Sequence, residues 1–162
     1  MEVNNRNSIG LYILTIMVAM VLRIAPWPYF IQIINPDWVL LVLIYWCLAM
    51  PERVGIFNAW FIGLFTDVLT GRMLGQNALI YSLASFVFLK MHKRIRRFHP
   101  VQQSLFVFCT LLISHLSSYL IENIQHPTQF HIAFWFPVIT GTGCWPFIHF
   151  LLEKVSNPGN RR

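Results

Sequence analysis

The sequence predicts an all-α polytopic membrane protein, a compact bundle of about six transmembrane helices, and three observations predict it. Apolar residues make up 56% of the chain and charged residues only 11%, whereas a soluble domain carries roughly 25% charged residues. Six apolar runs follow one another, and most of the basic residues lie in short segments between them. With so few charged residues, most of the protein surface is expected to face lipid rather than water. A single integral membrane domain is expected over residues 1–162.

The first predicted span covers residues 9–22, between Arg6 and Arg23. A basic start and an apolar middle are also typical of a signal peptide, but no small-residue cleavage site follows. Instead, Pro26-Trp27-Pro28 breaks the helix, and its tryptophan suits the headgroup level. The run is therefore predicted to be an uncleaved span.

The second predicted span, residues 38–50, is bracketed by Pro36 and Pro51. As a helix it would reach about 20 Å, against ~30 Å of hydrocarbon in a bilayer. Three alternatives stay open: the preceding segment lengthens it, it is partly re-entrant, or the bilayer is thinned around it.

The remaining spans are predicted over residues 54–69, 76–91, 101–124 and 132–152. The third ends at Thr70-Gly71-Arg72, and Pro100 opens the fifth. The sixth contains Pro137 and Pro146, between which Gly141 and Gly143 favour bending or tight packing.

The basic residues predict the orientation. With six spans and the N-terminus inside, both termini are cytoplasmic, and only Arg23 and Arg72 of the 12 Lys and Arg residues fall outside. This asymmetry follows the positive-inside rule. The other ten fall on the cytoplasmic side: Arg6, Arg53, Lys90, Lys93, Arg94, Arg96, Arg97, Lys154, Arg161 and Arg162.

Small residues recur at every fourth position of the third span. On a helix, this spacing places them along one gently winding stripe. The stripe comprises Gly55, Ala59, Gly63, Asp67 and Gly71, and Gly75 is a further packing candidate. Such a stripe lets another helix approach closely, either within the bundle or as the docking face for a partner chain. Asp67 is expected to form an ion pair, with Arg72 nearby, or to cap a helix end, rather than to relay protons.

The fifth span carries intramembrane polar candidates at helical spacing: Ser114, His115, Ser118 and Glu122. Hydrogen bonds between helices explain them better than catalysis, because no histidine is placed to orient both a serine and a carboxylate. No motif for a metal, phosphate or nucleophile occurs, so neither a cofactor nor a metal is expected. Cys47, Cys109 and Cys144 lie in apolar runs and are expected to be packing residues. Nucleic acid is not an expected partner, because positive-inside retention explains the basic patches.

Several sequence segments resemble one family. They are Pro26-Trp27-Pro28, Asn35-Pro36-Asp37-Trp38-Val39-Leu40-Leu41, Tyr45-Trp46, Leu48-Ala49, Pro51-Glu52-Arg53-Val54, Gly63-Leu64-Phe65-Thr66-Asp67-Val68-Leu69-Thr70-Gly71, Leu74-Gly75 and Trp145-Pro146. On them the chain resembles the rod shape-determining protein MreD family of Gram-negative bacteria. The match is densest from Pro26 to Gly75, and Thr70 stands where the family often has Ser.

The resemblance implies a non-enzymatic subunit of the cell-elongation machinery in the bacterial inner membrane. Its implied direct partner is the bitopic protein MreC. Through MreC it would join MreB, RodA and a class B penicillin-binding protein, which guide lateral peptidoglycan synthesis. The resemblance also implies a fold similar to the substrate-binding component of energy-coupling factor transporters. Small-molecule binding or transport is the alternative function, and an intramembrane enzyme is a third. The basic segment of residues 90–97 is expected to set topology or to contact membrane lipid.

Overall fold

The computed structural model describes residues 7–28, 31, 34–125 and 135–156, and the helices among them are six. In chain order they are α1 (Asn7–Ile24), α2 (Trp38–Ala49), α3 (Ile56–Thr70), α4 (Gln76–Ile95), α5 (Pro100–Gln125) and α6 (Phe136–Ser156). No strand occurs in these ranges. The prediction of an all-α chain with six helices is confirmed. The expected start of the sixth span, at residues 132–134, lies outside the described residues.

The short helix α2 forms the centre of the bundle. Every residue from Val39 to Leu48 is buried, so α2 is enclosed on all faces rather than along one stripe. Helices α1, α4 and α6 pack against it, while α3 packs mainly on α4 and α5 mainly on α6. The 12 residues of α2 reach only about 18 Å. The helix that is too short for an ordinary bilayer is therefore the one that fills the core.

The helices run in two opposite directions. Arg23 at the end of α1 meets Asp37 at the start of α2, and Thr15 in mid-α1 meets Trp46 late in α2. The ends of α2 and α6 also meet, where the hydroxyls of Tyr45 and Ser156 lie 2.8 Å apart. Helices α1, α3 and α5 thus run one way, and α2, α4 and α6 the other. We call the two ends of the bundle the Asp37 end and the Arg97 end.

The outer surface of the bundle is apolar. Large hydrophobic side chains are exposed on all the outer helices, up to 81% for Phe57 and 83% for Ile124. Contiguous apolar surface on this scale is unusual for a soluble monomer. By length and composition, one described helix, over Pro100–Ile121, is long and apolar enough to cross a membrane. The segments Ile9–Ile24, Trp38–Ala49 and Ile56–Thr70 are apolar but shorter.

Candidate functional site

Buried polar side chains gather at the Asp37 end of the bundle. An aspartate stands at the start of α2 because Asp at that position accepts a hydrogen bond from the first turn of a helix. The Leu40 amide donates to Asp37 Oδ1 over 3.1 Å. The carboxylate lies under the end of α1 and beside α4, where two further donors reach it.

The first of these donors is Arg23. Its Nη1 lies 2.6 Å from Asp37 Oδ1, and the two side chains are only 14% and 5% exposed. Such a pair costs desolvation energy, and it persists only where geometry and additional hydrogen bonds compensate. The second donor is the fully buried Tyr81, whose hydroxyl lies 2.9 and 3.0 Å from the two carboxylate oxygens of Asp37. The cluster of Arg23, Asp37 and Tyr81 therefore joins α1, α2 and α4.

Asp67 forms a second buried polar contact at the same end. It is fully buried, and its carboxylate accepts from the amides of Gly75 (2.8 Å), Asn77 (2.9 Å) and Ala78 (3.4 Å). These amides are unpaired donors of the first turn of α4, where the helix dipole also favours a negative charge. Asp67 on α3 thus caps the neighbouring helix, which is one of the roles that the sequence suggested for it.

Two glycines make this cap possible. Gly71 ends α3 at a φ of 64° and Gly75 precedes α4 at a φ of 99°. Both values lie in the left-handed region that favours glycine. They reverse the chain within five residues and return the start of α4 to the side chain of Asp67.

The small-residue stripe of α3 divides into a buried middle and two open ends. Ala59, Gly63 and Asp67 are buried, whereas no neighbouring atom lies within 4 Å of a Cβ built at Gly55 or Gly71. A Cβ at Gly63 would clash with the Ala78 Cα and lie 2.6 Å from its nitrogen. The helix in closest approach is therefore α4 of the same chain. Of the two alternatives for this stripe, packing within the bundle therefore applies to its middle, which α4 covers.

The polar candidates of α5 lie towards the same end. Ser114 and Ser118 are buried, and Arg72 Nη1 donates to Ser118 Oγ over 3.3 Å. This bond ties α5 to the connection between α3 and α4. His115 is half-buried. The side chain of Glu122 lies outside the described residues.

The arrangement suits cohesion between helices more than reaction chemistry. The two buried aspartates accept hydrogen bonds from groups of the protein itself. Within the described ranges, no three His, Cys, Asp or Glu side chains are grouped so as to hold a metal ion. The polar groups at the Asp37 end hold neighbouring helices together through hydrogen bonds.

The sequence does not bring Arg23, Asp37 and Tyr81 together. It predicts Arg23 on the outer side of the membrane and places Asp37 in the segment Asn35-Pro36-Asp37, and no pattern in it marks Tyr81. One signal was present: an Asp after Asn35-Pro36 has the pattern of a helix N-cap. A basic residue ends the preceding span at the same predicted depth, so a pair between the two could have been predicted.

The basic residues separate by end in the structure. Seven of them are exposed at the Arg97 end: Arg53, Lys90, Lys93, Arg94, Arg96, Arg97 and Lys154. At the Asp37 end, Arg23 pairs with Asp37 and Arg72 bonds to Ser118. The accessible positive charge of the described residues is thus concentrated at one end.

Comparison with known proteins gives two matches. A family profile described as rod shape-determining protein MreD matches residues 5–155. The rod shape-determining protein MreD of Haemophilus influenzae is 33% identical over 139 residues, which is 86% of each chain. No solved structure matches. The expected likeness to a transporter substrate-binding component therefore stays a prediction.

Proposed function

Because the chain belongs to the MreD family of rod shape-determining proteins, we propose that it is a non-enzymatic, multi-pass subunit of the cell-elongation machinery in the inner membrane. Its role is in cell shape. Its direct partner is MreC, and through MreC it joins MreB, RodA and a class B penicillin-binding protein in lateral peptidoglycan synthesis. The observation that carries this proposal is the family match, which spans all six helices.

In the proposed topology, the Arg97 end of the bundle lies in the cytoplasm. Seven exposed basic residues lie there, whereas at the opposite end Arg23 is only 14% exposed beside Asp37 and Arg72 is half-buried. Exposed Lys and Arg residues next to membrane spans are retained on the cytoplasmic side. The Asp37 end then faces the periplasm, and both chain termini are cytoplasmic.

The internal structure supports a scaffold. Large side chains of α2, among them Trp46 and Leu43, fill the centre of the bundle, and the buried aspartates are engaged within the chain. A bundle held together in this way presents a fixed outer surface to partners. MreC would dock through surface that α4 leaves uncovered, since α4 occupies the middle of the α3 stripe.

The small-molecule alternative has less support. A transport site near the midplane usually needs interrupted helices. Here α6 continues from Phe136 to Ser156 through Pro146, and the core around α2 is filled. An intramembrane enzyme would need convergent free polar groups, and Asp67 is already committed to three amides of α4.

Depletion of the chain from a rod-shaped bacterium that depends on it tests the cellular role. We expect the cells to become round and MreC to lose its localisation. Re-expression of the wild type, or of Gly143→Ala as a control with open space at the substituted site, should restore the rods. Depleted cells that stay rod-shaped, with MreC localised normally, would contradict the proposal.

Copurification tests the partner. A tagged chain in mild detergent should retain full-length MreC and lose MreC whose transmembrane helix has been replaced by an unrelated span. Equal capture of both forms of MreC would show that binding is not between membrane helices. Failure to capture either form would remove MreC as the direct partner.

A further inference from the structure

A groove of about 720 Å³ runs between α1 and α3. It exists because α1 packs on α2 and α3 packs on α4, so the two helices approach each other little. Ile13 and Met17 line one side, and Phe61 and Phe65 line the other. All four are more than half exposed, so the groove opens to the surroundings of the bundle. Its volume lies within the range of roughly 300–1,000 Å³ that is usual for bound small molecules.

The groove is polar at one end only. Arg53 and Asn58 lie where α2 turns into α3, at the Arg97 end, and the Asn58 amide donates to the Arg53 carbonyl over 3.2 Å. Beyond them the lining up to Met20 and Phe65 is apolar except for Tyr12 on α1. A ligand that fits has a long apolar body and an anionic head, since a guanidinium binds phosphate oxygens well.

The length of the groove favours an acyl chain over a helix. On α1 it extends from Ile9 to Met20, about 16 Å at 1.5 Å per residue. Half of a bilayer's hydrocarbon core is about 15 Å, whereas a transmembrane helix needs the full ~30 Å. The groove therefore spans one leaflet. A partner helix would continue past its end.

We propose that this groove binds an anionic phospholipid of the cytoplasmic leaflet, with an acyl chain between α1 and α3 and the phosphate at Arg53. The choice of leaflet rests on the proposed topology, which places Arg53 at the cytoplasmic headgroup level. The site differs from general attraction of lipid to the 90–97 segment, because it combines one basic residue with an apolar groove of matching length.

Native mass spectrometry of the full chain, released from nanodiscs of equimolar phosphatidylglycerol and phosphatidylcholine, tests the site. The wild type should retain phosphatidylglycerol in preference to phosphatidylcholine. Arg53→Gln should weaken retention of the anionic lipid about tenfold, as expected for a lost charge-assisted hydrogen bond. Arg94→Gln removes an exposed basic residue at the same end that does not line the groove, and it should leave the preference unchanged.

A second pair of variants tests the groove itself. Ile13→Trp fills it, while Val18→Trp adds the same side chain at an exposed position of α1 outside the lining. Only Ile13→Trp should abolish lipid retention. Equal retention by the two variants, or no preference for the anionic lipid in the wild type, would overturn the inference. So would loss of MreC capture by Ile13→Trp with unchanged lipid retention, because a helix would then be the occupant.

Complementation of depleted cells separates this inference from the proposed function. A chain that restores rods but retains no lipid overturns the lipid site alone. A chain that retains the lipid through Arg53 but leaves depleted cells round overturns the proposed function alone.

Discussion

Arg23, at the end of α1, lies 2.6 Å from Asp37, at the start of α2. The pair joins the end of α1 to the start of the central helix. Tyr81 on α4 also contacts this carboxylate, because its hydroxyl donates to Asp37 Oδ1 over 2.9 Å. Helices α1 and α4 both pack on α2, and one carboxylate contacts all three helices. Its charge should therefore matter more to stability than any single apolar contact.

Asp37→Asn should destabilise the protein by about 3 kcal/mol, because it leaves the Arg23 side chain, which is only 14% exposed, without its counter-charge. The substitution keeps the shape of the side chain and an oxygen for the Leu40 amide. Tyr81→Phe should cost only about 1 kcal/mol, since it removes one neutral donor from a carboxylate that keeps others. Thermal unfolding in detergent, followed by tryptophan fluorescence, measures both changes.

The double variant Arg23→Gln/Asp37→Asn is the matched control. It removes both charges, so it should be more stable than Asp37→Asn alone, despite the additional substitution. If the loss of stability in the double variant equals the sum of the losses in Arg23→Gln and Asp37→Asn, the two residues are not energetically coupled and their contact does not stabilise the fold.

Gly63→Ala should destabilise the pairing of α3 with α4. The new Cβ would lie 2.6 Å from Ala78 N and 2.7 Å from the Asn77 carbonyl oxygen. These are backbone atoms, so the helices must separate, and we expect a loss of about 1–3 kcal/mol. Unfolding of the purified variant in detergent measures it.

Gly143→Ala is the control for helix propensity. It lies within α6 with no atom near the new Cβ, so it should be neutral or stabilising by up to about 1 kcal/mol. Equal stability of the two variants would mean that α3 and α4 are not in close approach at Gly63. If a Gly63 variant captures less MreC, the decrease should be proportional to the decrease in folded protein, because Gly63 packs inside the bundle.

Asp67→Asn should weaken the cap on α4 by about 1–2 kcal/mol, and Asp67→Ala should weaken it more. Asparagine keeps one acceptor oxygen but loses the charge that the helix N-terminus favours. Amide hydrogen exchange at Gly75, Asn77 and Ala78 reports the cap directly, and it should accelerate in both variants. Ser82→Ala is the control, because Ser82 also lies on α4 but its hydroxyl bonds only within that helix. It should leave the exchange of these three amides unchanged. Faster exchange of the three amides in Ser82→Ala would mean that any substitution in α4 loosens the helix.

The six helices could be predicted because each needs a long apolar run, and proline or glycine marks several of their ends. Pro36 and Pro51 flank α2, and Gly71 ends α3. These signals are local in the sequence, so they can be recognised without knowledge of the tertiary structure. Composition also predicted the apolar exterior.

The partners of individual residues could not be predicted in the same way. The stripe through Gly63 marks a face that packs closely, but the spacing is the same whether the neighbour is α4 or another chain. Likewise, Arg23 and Asp37 pair only because α1 packs against α2 with the end of one helix beside the start of the other. Both facts depend on which helices are neighbours, and that depends on packing across the whole bundle.

Cysteine labelling should show that the two ends of the bundle lie on opposite sides of the inner membrane. In a Cys109→Ala/Cys144→Ala background, with Cys47 kept because it is buried, Met73→Cys places a thiol at the Asp37 end and Arg94→Cys places one at the Arg97 end. Both positions are exposed. A membrane-impermeant maleimide should label Met73→Cys in intact spheroplasts and Arg94→Cys only after lysis, because exposed basic residues stay in the cytoplasm. Labelling of both before lysis would show that the bundle does not separate the two sides. The reverse pattern would invert the topology and place Arg53 and its groove in the periplasmic leaflet.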